Sequence, residues 1–180
     1  SIKNINVKAF IHSLAFGTLK PMIDKDRANQ LKQKQIEMTT DVMSHSLIYW
    51  TQDLFNNKLL NENSQIISMT SAGGNKQWKN YGAVSLAKSS LESATRQLAL
   101  ELAPFKIACN AIEAGVTITA ALEKIPGFQS MIDRTLKLNP HKRLTLPIDI
   151  ANAVVMLCLH NTSWITGNTI KVDGGETLTN

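Results

Sequence analysis

The amino-acid sequence predicts an α/β fold in which a doubly wound parallel sheet carries helices on both faces. Two short strand-like runs, 65–71, which ends in hydroxyl residues, and 107–113, lie between longer stretches with helical patterns. Regular alternation of strands and helices is typical of parallel sheets. A length of 180 residues with 43% apolar content is enough for one core, so we expect a single domain over residues 1–180.

The elements follow from local patterns and turn signals. Four strands are expected at 7–16, 65–71, 107–113 and 169–172. Helical regions are expected at 30–60, 81–102, 119–139 and 147–159. Residues 20–28 predict an irregular polar loop, and breaks are expected near Asn56, at Pro126-Gly127 and before Pro104.

Charge and composition exclude several classes of function. The formal net charge is +5, but the Lys and Arg residues are scattered and no basic helix carries interleaved aromatics, so we expect no nucleic-acid binding. A local basic rim suits anionic partners such as a dinucleotide or an acidic carrier protein. The longest apolar stretch, 150–159, is too short to span a bilayer, so no membrane partner is expected. Cys109 and Cys158 suggest buried thiols in a reducing cytoplasm, as does the lack of a secretory leader.

The most informative pair is Tyr81 and Lys88, in the run Tyr81-Gly-Ala-Val-Ser-Leu-Ala-Lys88. Seven residues are two helical turns, so both side chains share one face. A nearby ammonium is expected to lower the pKa of the phenol from about 10 and to help it give a proton to a reacting oxygen. The alternative interpretation is an aromatic residue at the core rim and a solvated lysine.

Further motifs accompany this pair in a fixed order. They are the segment Ala9–Phe16 containing His12-Ser13-Leu14-Ala15, the strand end Ser71 with Ala72-Gly73-Gly74, the run Ala114-Gly115-Val-Thr117-Ile-Thr119, and Asp173-Gly174-Gly175. With these pieces the chain resembles the short-chain dehydrogenase/reductase family over residues 8–178, from the family's fourth strand to its end. The resemblance is closest to the enoyl-acyl-carrier-protein reductase branch, which has Tyr-x6-Lys and His-Ser-x-Ala. The common ketone and alcohol members have Tyr-x3-Lys, and Val84 occupies the position of their tyrosine.

Two departures from the family pattern matter, and a third position, Met43, agrees with the enoyl reductase branch. No Gly-x-x-x-Gly-x-Gly or Gly-x-Gly-x-x-Gly turn occurs, so we expect a Rossmann-type sheet present only as its C-terminal half, with an N-terminal nucleotide-binding half outside this sequence. Ser71 occupies a position where many enoyl reductases carry tyrosine and ketone reductases carry serine. Met43 replaces the asparagine that relays protons in the common members, and a thioether cannot relay a proton.

The resemblance implies an NADH- or NADPH-dependent reductase of an enoyl thioester that is carried on acyl carrier protein, in fatty-acid synthesis. It implies catalytic roles for Tyr81, Lys88 and Ser71 and no metal. The implied cofactor-binding residues are Ser13, Leu14, Ala15, Lys88, Gly115, Thr117 and Thr119. We expect no turnover from residues 1–180 alone.

Several alternatives stay open. The protein could reduce a 3-oxoacyl or other ketone substrate, or it could be a catalytically inactive fragment or assembly partner. Ser71 could simply end its strand, Thr119 could cap the following helix, and His12 could be a buried imidazole without a catalytic role. A homotetramer is expected, because apolar positions such as Ile48, Val84 and Ala87 lie off the sheet-facing stripes of their helices and need a partner.

Overall fold

The computed structural model describes residues 5–159 and 162–178, and their central feature is a four-stranded parallel sheet. The strands lie side by side in chain order and are β1 Ala9–His12, β2 Gln65–Ser71, β3 Ala108–Ala114 and β4 Thr169–Val172. Every neighbouring pair is parallel. The predicted parallel α/β architecture is therefore confirmed.

Five α-helices connect the strands. They are α1 Gln33–Thr40, α2 Ser46–Asn56, α3 Gly82–Leu102, α4 Phe128–Leu138 and α5 Pro147–Cys158. A π-helical segment, Asp41–His45, joins α1 to α2. Short 3₁₀ turns cover Ala72–Gly74, Ala103–Phe105 and Leu122–Lys124.

Consecutive apolar residues of the central strands supply two separate cores. Successive side chains of a strand point to opposite faces, so Ile66 packs with Leu47 of α2 and Leu91 of α3, whereas Ile67 packs with Val154 of α5. All of these side chains are at least nine-tenths buried. β2 is buried on both faces, and its polar side chains Ser68 and Thr70 are bonded there to Thr95 and Glu92 of α3.

The first strand is shorter than the sequence predicts. β1 ends at His12, opposite Ser68 of β2, and the residues that follow are exposed and irregular up to Gly17. The chain then runs along α1, where the backbone N–H of Thr18 donates to Thr39 Oγ1 at 3.2 Å. The expected strand over 13–16 is therefore wrong, because this tertiary contact draws the chain away from the sheet. No helix of the described residues is long and apolar enough to cross a bilayer.

Candidate active site

The carboxyl ends of β1, β2 and β3 form one edge of the sheet, and most of the predicted site residues lie along it. β1 is followed by Ser13–Ala15, β2 ends at Ser71, and β3 is followed by Gly115–Thr117. In open parallel sheets, ligands bind outside this edge. The fold therefore brings together segments that are about 50 residues apart in the sequence.

Tyr81 reaches this edge from the start of α3. Its backbone N–H donates to Trp78 O at 3.1 Å, and its carbonyl accepts the first helical hydrogen bond from Ser85 N at 2.8 Å. Its ring lies directly against Gly73, where a Cβ would be 2.5 Å from Tyr81 Cε1 and 3.3 Å from Ser71 Oγ. The glycine therefore leaves room for the phenol ring beside the Ser71 hydroxyl.

The environment of the phenol shifts its pKa in the opposite direction to the one that the sequence predicts. Burial raises the pKa of Tyr81, and hydrogen bonding by Ser71 opposes the rise. Ser71 Oγ is itself buried and has no partner at full hydrogen-bond geometry among the described residues, so we interpret its effect as closeness to the phenol and not as a formed bond. The expected lowering of the Tyr81 pKa is wrong, because desolvation outweighs any effect of Lys88.

Lys88 is buried, with only 6% of its surface exposed, so the alternative of a solvated lysine is wrong. Its Nζ donates to the backbone carbonyl of Met69 at 2.6 Å, two residues before the end of β2. Burial lowers the pKa of Lys88 to about 8, although the negative charge of Glu92 opposes this fall. The ammonium is therefore mostly protonated at pH 7 and has further N–H donors beyond the one that it gives to Met69.

His12 links the end of β1 to the π-helical segment. Its Nε2 lies 2.7 Å from Ser46 Oγ, and that hydroxyl donates to Val42 O at 2.7 Å. Because the Ser46 proton is already used, we assign the proton of this contact to Nε2. Nδ1 is then a buried acceptor without a partner among the described residues. Burial and then the charge of Lys88 lower the pKa of His12, so the imidazole is neutral at pH 7.

The π-helical segment carries the residue at the position of the missing asparagine. Met43 is buried there and packs with Val84 and Ala87, in a cluster that Tyr81 also contacts. π-helical turns inside helices are often found at functional sites. The sequence predicts one helical region without a break here, because nothing in the run from Asp41 to His45 distinguishes a π turn from an α-helix.

The loop after β3 is held by its own contacts. A Cβ on Gly115 would collide with Thr145 Oγ1 and lie 2.9 Å from Glu176 Oε2, so this position requires glycine for packing. Glu176 also accepts from Val116 N at 2.9 Å. Thr117 Oγ1 donates to Gly115 O, and Thr119 Oγ1 accepts from Leu122 N at 3.2 Å. Thr119 therefore caps the turn that follows, as the alternative interpretation predicts.

Two buried acidic residues, Glu92 of α3 and Glu113 of β3, are not predicted from the sequence. Glu92 and Glu113 are 6% and 3% exposed, and Glu92 Oε1 accepts from Thr70 Oγ1 at 2.7 Å. The available signal is a charged residue inside an otherwise buried strand, Ala108–Ala114, where no surface position is expected.

A parallel sheet with helices on both faces and a Tyr-x6-Lys pair at its carboxyl edge is the arrangement of a Rossmann-type reductase. The chain belongs to the Enoyl-(Acyl carrier protein) reductase family, whose model matches residues 4–177.

Individual relatives agree with this assignment. The chain is 31% identical over 170 residues to the NADH-dependent enoyl-acyl-carrier-protein reductase FabI of Haemophilus influenzae, a match covering 94% of this chain and 64% of the relative. It is 29% identical to an NADPH-dependent FabI of Staphylococcus aureus, over 94% of this chain and 65% of the relative. The chain thus spans just under two thirds of the length of these relatives.

Solved structures of the family share the fold. The enoyl-acyl-carrier-protein reductase (NADH) of Aquifex aeolicus superposes with a TM-score of 0.83 at 28% identity, covering 97% of this chain and 66% of that one. The Bacillus cereus enoyl-acyl carrier protein reductase, solved with NADP⁺ and indole naphthyridinone, gives a TM-score of 0.86 at 26% identity with the same coverage.

Proposed function

We propose that the protein reduces the 2,3 double bond of an enoyl thioester with NADH or NADPH. The observation that carries this proposal is the buried pair at the sheet edge: the Tyr81 ring beside Ser71, with the Lys88 ammonium bonded to the carbonyl of Met69. Family membership and the printed activities of the relatives support it.

The residues at the edge fit the nicotinamide end of such a cofactor. Lys88 keeps N–H donors for ribose hydroxyls, and Ser13, Leu14 and Ala15 are exposed where β1 ends. We assign the ribose side to these residues, the carboxamide to the backbone of Thr117 in the turn after Gly115, and a phosphate contact to Thr119. When bound, the reduced cofactor supplies the hydride.

The chain's own residues then handle charge and protons. Negative charge develops on the thioester oxygen as the double bond is reduced, and a donor placed there stabilises the transition state. Tyr81 is that donor, because its raised pKa keeps the phenol protonated at neutral pH. Lys88 holds positive charge nearby, and Ser71 is placed to orient the phenol.

A 3-oxoacyl reductase is the second candidate, and Ser71 is the observation that favours it. A buried hydroxyl beside the phenol could donate to a ketone oxygen.

We expect the polypeptide encoded by the gene to oxidise NADH or NADPH with a crotonyl thioester and not with an acetoacetyl thioester. The reverse preference would assign the ketone reaction, and absence of binding to both cofactors would indicate an inactive assembly partner.

We further propose that the protein is a cytoplasmic homotetramer that acts on acyl carrier protein. Val84 and Ala87 are covered by Met43 within the chain, so they need no partner, contrary to the sequence argument. Other apolar side chains on α2 and α3 are exposed: Trp50 is 60% exposed, Leu86 46% and Leu100 70%. These three side chains support association through the α2–α3 surface.

Sedimentation velocity at micromolar concentration tests the assembly. We expect a species of four chains, and we expect Leu86→Arg to dissociate it because a charge would be buried in the interface. Leu178→Arg is the matched control, since Leu178 is 83% exposed, lies next to Gly175 and belongs to neither α2 nor α3. A compact monomer in the parent protein would contradict the proposal.

A further inference from the structure

The turn that follows β4 is built around Asp173. Its Oδ1 accepts from the backbone N–H of Gly175 at 2.9 Å, and its Oδ2 accepts from the backbone N–H of Thr177 at 3.0 Å and from Thr177 Oγ1 at 2.6 Å. Gly174 and Gly175 have positive φ, which favours glycine at both positions. The Asp-Gly-Gly motif therefore holds the backbone on both sides of Glu176.

The carboxylate of Glu176 bonds to two separate elements. Its Oε2 accepts from the backbone N–H of Val116, in the loop after β3, at 2.9 Å. Its Oε1 accepts from Thr135 Oγ1 of α4 at 3.2 Å, and Thr135 is buried. An ionised carboxylate only accepts hydrogen bonds, so both of its oxygens suit these donors. Glu176 therefore connects the loop after β3 to α4.

The bond from Glu176 completes the support of Val116. The carbonyl of Val116 accepts from Thr145 N at 3.1 Å, so both backbone polar groups of Val116 are bonded. Gly115 lets the carboxylate come close, since a Cβ there would lie 2.9 Å from Glu176 Oε2. The next residue along the chain is Thr117, whose backbone we assign to the nicotinamide carboxamide. The way in which Val116 is held therefore sets the position of that backbone.

We propose that Glu176 is a positioning residue for the nicotinamide end of the cofactor. Its bond to Val116 N–H holds the Thr117 backbone in place for the carboxamide, and its bond to Thr135 fixes α4 relative to the same loop. Glu176 acts through Val116 and not by contact with the cofactor. The inference rests on the proposed function, because it presumes a nicotinamide cofactor at this edge of the sheet.

Glu176→Ala tests this role in the polypeptide encoded by the gene. The variant should bind NADH or NADPH about tenfold more weakly than the parent, because the loop loses the acceptor that holds it. Binding of ADP-ribose, or of its 2′-phosphate as the match for NADPH, should stay at the parent value, since these ligands lack the nicotinamide. Isothermal titration calorimetry measures both affinities. A general folding defect would weaken both ligands, so equal losses would overturn the proposal.

Two further variants serve as rescue and control. Glu176→Gln should return the dinucleotide affinity to near the parent value, because the amide oxygen can accept from Val116 N–H and the amide NH₂ can donate to the Thr135 hydroxyl. Glu101→Ala is the matched control at an exposed glutamate of α3, and it should leave both affinities unchanged. An equal loss of dinucleotide affinity in Glu176→Ala and Glu101→Ala would also overturn the proposal.

Hydrogen exchange without any ligand separates this inference from the proposed function. The Val116 amide should exchange about tenfold faster in Glu176→Ala than in the parent, because its hydrogen-bond acceptor is lost. An unchanged exchange rate would overturn the proposal, as would faster exchange with parent-like dinucleotide affinity, and neither result would affect the proposed reductase activity. Failure of the parent itself to bind NADH and NADPH would instead contradict the proposed function and this role together.

Discussion

Replacing Tyr81 by Phe is expected to lower turnover of an enoyl thioester about a hundredfold while cofactor affinity stays nearly unchanged. The phenol hydroxyl acts on charge that develops only in the transition state, and loss of one such donor costs roughly 3 kcal/mol. The ring itself, which packs against Gly73, is kept in this variant. Steady-state kinetics and fluorescence titration of the cofactor, both on the polypeptide encoded by the gene, measure the two quantities.

The chain offers a matched control, because it contains two tyrosines. Tyr49 is half exposed and donates to Asp41 Oδ1 at 3.0 Å on the surface of α2, so Tyr49→Phe should leave turnover unchanged. Lys88→Ala should instead reduce both turnover and cofactor affinity, because it removes ground-state contacts together with the charge. Near-normal turnover in Tyr81→Phe, combined with its loss in Ser71→Ala, would show that the site is not of the enoyl type.

The sequence predicts the central strands well because local signals are enough there. The run 65–71 contains the β-branched residues Ile66, Ile67 and Thr70 and is followed by glycines, and it forms β2 over those same residues. The first strand is predicted too long, since the apolar pattern continues to Phe16 whereas the chain leaves the sheet at His12. That departure depends on a contact with Thr39, which lies more than 20 residues away in the sequence.

The features of the site are likewise of two kinds: some follow from local sequence signals, and others depend on tertiary structure. Helical spacing is a local property, so the shared face of Tyr81 and Lys88 can be predicted from their separation. Burial is a tertiary property, and it reverses the expected direction of the Tyr81 pKa. The hydrogen bond from Thr70 of β2 to Glu92 of α3 likewise depends on tertiary packing, which no local pattern of either element reveals.

Gly73→Ala is expected to reduce turnover about tenfold or more with little loss of stability. Gly73 has no positive φ, so the backbone accepts alanine. Its Cβ would nevertheless lie 2.5 Å from Cε1 and 3.1 Å from Cδ1 of Tyr81, and the ring must move away from Ser71 to accommodate it. Displacement of a reacting group by about 1 Å can cost about a hundredfold in rate.

Gly82→Ala is the matched control, at the first residue of α3. The three heavy atoms nearest to its Cβ would all belong to the side chain of Met22, which is 44% exposed and can rotate away, so turnover should stay near the parent value. Kinetics together with the thermal midpoint separate the two effects, because a folding defect would lower the midpoint and a displaced phenol would not. Parent-like turnover in Gly73→Ala would mean that the observed position of the Tyr81 ring is not the one from which the phenol reacts.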